Sequence, residues 1–159
     1  MTELNAQQQQ NNNNPNQIAD QLADTIWKTT AEWGEFAKSS VGLPLTRAVD
    51  GIGVQLAMSL GRKSVKEHLQ HVSNARKNLT PASYWLQRAG NRGLIEQDQI
   101  KQLAEQMAQL AKHLDQHAQT VVQATNEKLA EQQEKLNETA GTEDSNAKAE
   151  TTAEQTVAH

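Results

Sequence analysis

Apolar residues recur along the middle of the chain at the three- and four-residue spacing of helix faces. No segment shows the period of two that marks a half-buried strand. The first stripe is Ile18, Leu22, Ile26, Trp33 and Ala37, with Thr29 filling the gap, and it predicts a helix over about 17–37. Asn16 is the expected N-cap, because its short side chain can accept from an orphan amide. Ser39, Ser40 and Gly42 are the expected connection. Leu45, Val49, Ile52, Leu56 and Leu60 predict a second helix over about 44–60, opened by Pro44, whose missing N–H is harmless at a first helical position. Gly51 and Gly53 inside it each cost about 1 kcal/mol relative to alanine, so another segment is expected to pack close there.

Ser64, with Glu67 three residues on, has the capping-box spacing and predicts the start of a third helix. Val65, Leu69, Val72, Leu79 and Leu86 are its expected inner face. Pro81 removes one backbone bond, so a kink or short break is expected there. Gly90 and Gly93 close the segment. Ile100, Leu103, Met107, Leu110, Leu114, His117 and Val121 then alternate by three and four, a heptad seam that fades into Ala124, Leu129 and Leu136. Four amphipathic helices on short links predict an all-α, antiparallel up-down four-helix bundle over residues 17–119. Residues 120–138 are expected to extend the fourth helix as a solvated rod.

The ends of the 159-residue chain change composition. Residues 1–16 are rich in Gln and Asn, and residues 139–159 are rich in Glu, Thr, Ala and Asn. Neither has the apolar surface to offset the entropy of ordering, so both are expected to be disordered tails. The net charge of −4 is unevenly spread. Residues 119–159 are net −5, whereas residues 60–92 set Arg62, Lys63, Lys66, Arg76, Lys77, Arg88 and Arg92 against Glu67 alone. These seven are the candidate nucleic-acid contacts, since phosphate neutralisation by Lys and Arg is the general source of such affinity. The acidic tail is an expected competitor for the same surface.

The chain has no cysteine, which excludes disulfides and thiolate metal sites. It shows no basic-plus-apolar leader and no apolar run of membrane-spanning length, so a cytoplasmic location is expected.

Several segments resemble a known family. Residues 47–57, RAVDGIGVQLA, and residues 61–67, GRKSVKE, are similar to successive stretches of a bacterial four-helix-bundle family. That family includes the ribosomal-RNA intervening-sequence proteins and the accessory subunits of diversity-generating retroelements. Residues 75–79, ARKNL, residues 84–89, YWLQRA, and residues 92–95, RGLI, resemble its later stretches in the same order. The chain departs from the family pattern at Gln55, Met58, Lys77 and Pro81. The resemblance implies a four-helix protomer, often in a ring of five, with a basic surface that can meet RNA or a reverse transcriptase.

Chemistry is sparse. His68 and His71 are three residues apart, and His113 and His117 are four apart, so each pair shares a helix face. A zinc site needs a further ligand that the sequence does not place. No glutamate precedes a histidine by three, so the di-iron bundle motif is missing. There is no G-x-S-x-G and no phosphate loop, and Gly51-x-Gly53 lacks a preceding strand. Asp20 and Asp24 sit early in a helix, where they favour its dipole. Trp27, Trp33 and Trp85 are expected in the core or between subunits.

The expected function is therefore that of a non-catalytic, oligomeric binding or assembly protein without cofactor or metal, a pentamer by resemblance, contacting RNA or a nucleoprotein through the basic segment. The alternative is a phasin-like surface coat or protein scaffold, which would expose the apolar stripes that a bundle buries.

Overall fold

The computed structural model describes the backbone of residues 14–154 and the side chains of residues 14–139. Among the described residues the secondary structure is helical, with no strand. Helix α1 spans Pro15–Ala31. Asn14, not Asn16, caps it: the Asn14 side-chain oxygen accepts from the backbone amide of Asn16 at 3.0 Å. Pro15 takes the first helical position, where no N–H is required.

The first helix ends earlier than the apolar stripe predicts. The chain leaves α1 at Glu32 and re-enters a helix through Gly34, which is extended. Ala37 therefore belongs to the second helix. That helix, α2, is a continuous path made of an α-turn Glu35–Ala37, a π-helical turn Lys38–Gly42 and the α-helix Leu43–Ser59. The expected loop at Ser39, Ser40 and Gly42 is thus helical. Both serine hydroxyls donate to the Phe36 carbonyl, at 3.1 and 2.6 Å, and stay within the helix. Leu43 N–H reaches back five residues to Lys38. Pro44 follows, where an α-type bond to Ser40 would have lacked its donor. The wide turn is placed where the α pattern fails in any case.

Val41, Leu45, Val49, Ile52 and Leu56 are the buried side of α2, while Leu60 lies past its end and is exposed. Gly61, with φ of +72°, turns the chain. Ser64 then caps helix α3, Val65–Asn91, by accepting from the Glu67 amide at 3.4 Å, as the capping-box spacing predicts. Val65 itself is exposed at the helix start.

α3 runs through Pro81 without a break. Lys77, whose carbonyl loses its donor, and Pro81 are both exposed, so water can satisfy that carbonyl. The helix closes on Gly93, with φ of +68°. Gly93 N donates to Gly90 O at 2.9 Å and Leu94 N to Ala89 O at 3.0 Å, the paired bonds of a Schellman cap.

Helix α4 spans Gln97–Glu154. It passes the boundary expected near residue 138. Ala, Glu and Lys, all good helix formers, make up half of residues 139–154, and no proline interrupts them. Residues 1–13 and 155–159 of the expected tails lie outside the described residues.

The chain divides into two compact units between Gln119 and Thr120. In the first, cross-helix contacts fix the topology. Thr30 meets Gly42, and Asp20 meets Gly53, so α1 and α2 are antiparallel. Gln55 meets His71, and Ser59 meets His68, so α2 and α3 are antiparallel. Gly90 packs on Ile100, Ser83 on Met107, and Arg76 on Asp115, so α3 and α4 are antiparallel. Gln99 donates to the Thr29 hydroxyl at 3.1 Å and joins α4 to α1. This is an up-and-down four-helix bundle.

Its core gathers Leu22 and Ile26 of α1, Leu45, Val49 and Ile52 of α2, Leu79 and Leu86 of α3, and Leu103, Leu110 and Leu114 of α4. The segments that approach Gly51 and Gly53 are the Asn78 side chain and the Asp20 carboxylate. The second unit is helical from Thr120 to Glu154, with Val122, Leu129 and Leu136 exposed.

Candidate nucleic-acid interface

The seven basic side chains of residues 60–92 do not form one patch. Arg62 and Lys63 lie in the turn between α2 and α3, and both are exposed. The Arg62 guanidinium donates to the Met58 carbonyl at 2.8 Å, close to the carbonyl end of α2. Arg76 is turned inward to α4, its Nε 3.2 and 3.3 Å from the two Asp115 oxygens. Arg92, exposed, ends α3 beside an aromatic cleft that contains Phe36 and Trp85. At about 1.5 Å per residue, Lys66 and Arg92 stand about 39 Å apart.

Three of the seven do align. Lys66, Lys77 and Arg88 follow one another at eleven-residue spacing, close to three helical turns, so they lie on one line along α3, about 16 Å apart. The opposite side of the helix carries Val72, Ala75, Leu79 and Leu86 into the core, which turns this line to solvent. Lys66 and Lys77 are exposed and Arg88 is half-buried. After Glu67, α3 contains no acidic residue. Among the described residues, no carboxylate pairs with any of the three; the ion pairs are Lys38–Glu35, Arg76–Asp115 and Lys101–Asp98.

An aromatic ring completes the line. Tyr84 lies seven residues after Lys77 and four before Arg88, and is 55% exposed. Its ring meets Trp85 edge-to-face, with centroids 5.2 Å apart. Tyr84, and none of the three tryptophans, is the ring on this line. The heptad spacing of Tyr84 from Lys77 was the available signal. Trp33 and Trp85 do pack against the core. Trp27 does not: it is 61% exposed and borders a groove with Leu43 and Thr46.

The histidines pair between helices and not within them. His71 Nδ1 is 2.9 Å from the Gln55 side-chain oxygen. His68 Nε2 is 2.9 Å from His117 Nε2. Partial desolvation at the helix interface, and secondarily the nearby His68, hold the His117 imidazole below its ordinary pKa, although the residue is still exposed. Elsewhere, partial desolvation and then the charge of Asp24 raise the Asp50 carboxyl above its usual value. Among the described residues no cluster of three or more His, Asp or Glu side chains is placed to hold a metal. No described helix is long and apolar enough to cross a membrane.

These features define a small helical-bundle protein with a basic, aromatic line on one helix. Residues 11–116 match the family described as 23S rRNA-intervening sequence protein, and the chain belongs to that family. No curated protein matches the chain.

Proposed function

We propose that the protein is a non-catalytic, homo-oligomeric RNA-contacting subunit whose contact surface is the Lys66–Lys77–Arg88 line with Tyr84. The observation that carries this reading is the alignment itself. Three cations without carboxylate partners share a solvent-facing line with an exposed aromatic ring. Cations neutralise phosphates, and an exposed ring offers a face on which an unpaired base can stack. The family name ties related proteins to ribosomal RNA, which is compatible with an RNA partner.

Self-association is supported by a second surface. Leu43 and Val54, eleven residues apart, share the outer line of α2 with Met58, and all three are at least 41% exposed. Apolar residues aligned on a solvated face are the usual mark of a protein contact. The resemblance favours a ring of five. A surface coat is less well supported, because the inner stripes of all four helices are buried in the bundle. Native mass measurement with and without added RNA tests both parts. Expected are an oligomer that persists at micromolar concentration and a heavier complex when RNA is present. A monomer alone would contradict the first part, and an unchanged mass with RNA the second.

A further inference from the structure

We infer that His68 and His117 form a two-imidazole binding site for a borderline divalent transition metal, with copper(II) bound most tightly, that clamps α3 to α4. The inference is independent of RNA binding. The two Nε2 atoms approach to 2.9 Å across the helix interface. His68 Nδ1 lies 3.0 Å from the Ser59 carbonyl. A carbonyl only accepts, so Nδ1 carries the hydrogen and His68 Nε2 presents its lone pair to His117. An imidazole whose Nδ1–H is held by a backbone carbonyl while Nε2 faces outward has the arrangement that fixes metal-ligating histidines.

The spacing suits a metal. Nitrogens 2.9 Å apart subtend about 90° at a metal about 2.0–2.1 Å from each. That is the cis angle of a tetragonal site. Opening the pair to about 3.3 Å gives the tetrahedral angle. The rings now face each other end to end, at 65° with centroids 5.1 Å apart, so each must swing by about 45°, half of that angle at the metal, to aim both lone pairs at one point.

On metal binding, His117 loses its Nε2 hydrogen and takes up a proton at Nδ1 from solvent, so a neutral pair stays neutral. Both rings must be neutral to act as ligands. His68 is half-buried and His117 exposed, which leaves water to fill the remaining coordination positions. Neutral imidazoles select copper, nickel and zinc, with copper the tightest, and do not select magnesium or calcium.

The test uses the full chain without an affinity tag, stripped with chelator, at neutral pH. Thermal unfolding and calorimetric titration are followed with copper(II), nickel(II), zinc(II) and magnesium. Expected is saturable binding of one equivalent per chain with a rise in Tm, largest for copper and absent for magnesium. His117→Gln and His68→Asn should each abolish it, whereas His71→Gln and His113→Gln should not. Nitrogen hyperfine structure in the copper spectrum of the unaltered protein should count two imidazoles, a readout that stands even where a variant fails to fold. Binding unaffected by His117→Gln, a single nitrogen ligand, or no saturable binding of the three transition metals would overturn the site.

Discussion

Arg76 on α3 bonds both carboxylate oxygens of Asp115 on α4, and so leaves the basic surface to which its sequence neighbours belong. Lys77, one residue on, is turned about 100° round the helix and faces solvent. One helix thus divides adjacent cations between holding the bundle and facing a partner. Both partners of the ion pair are about half exposed, which limits its worth to about 0.2–1 kcal/mol. Arg76→Gln should therefore lower unfolding stability by no more than that in a urea titration. It should change RNA affinity less than Lys77→Gln does. A larger effect of Arg76 on binding would return it to the contact surface.

Leu110 is fully buried on the inner side of α4, and Leu136 is 66% exposed on the same helix. Leu110→Ala should cost about 2–5 kcal/mol, the range for a core leucine. Leu136→Ala should cost less than about 0.5 kcal/mol, as at other exposed sites. Equal effects in denaturant titrations would remove the four-helix core.

Gly93 and Gly34 both have open space where a Cβ would sit, but only Gly93 has positive φ. Gly93→Ala should destabilise by about 1–2 kcal/mol through the left-handed backbone alone. Gly34→Ala should leave Tm nearly unchanged. A neutral Gly93→Ala would show that the Schellman cap does not constrain the α3–α4 turn.

His117 binds its proton less readily in the folded protein than in the unfolded chain. Between its lowered folded pKa and the unfolded value of 6.5, the unfolded chain holds more protons, so stability rises with pH. The contribution is complete above 6.5 and is lost as pH falls toward the folded value. His117→Gln should flatten this part of the stability profile. Asp50 has the opposite sign: its raised pKa makes the charged form a cost that grows as pH rises through the folded value. Asp50→Asn should raise Tm at neutral pH, and a lowered Tm would contradict the repulsion from Asp24.

The apolar stripes through Leu22 and Ile26, Val49 and Ile52, and Leu103 to Leu114 made the bundle legible, because burial imposes a period on the sequence. The Ser64–Glu67 cap was legible for the same kind of reason: a local bond needs a fixed spacing. The passage from Ala31 to Leu43 was not. Ser39, Ser40 and Gly42 have the composition of a loop, and a π-helical turn depends on five-residue bonding that leaves no hydrophobic period. Pro44 does sit in the first turn of the α-helix Leu43–Ser59, as its sequence position implies, but that helix continues from a π-helical turn and not from a loop. The candidate site was legible in part. The excess of cations over residues 60–92 was visible, but which of them share a line depends on the exact helix limits. The His68–His117 and Arg76–Asp115 pairs depend on the register of two helices, which no single segment encodes.

The central claim rests on the α3 line, and the salt dependence of RNA binding tests it most directly. Each phosphate contact to a single strand contributes about −0.7 to the slope of log affinity against log salt. The wild-type protein should bind single-stranded RNA with a slope that Lys66→Gln, Lys77→Gln and Arg88→Gln together flatten by about two. Tyr84→Ala should weaken binding by about 1–3 kcal/mol without altering the slope, as loss of a stacking face does. A triple variant with an unchanged slope, or a wild-type protein that retains no RNA at about 50 mM salt, would contradict the assignment of this surface to RNA.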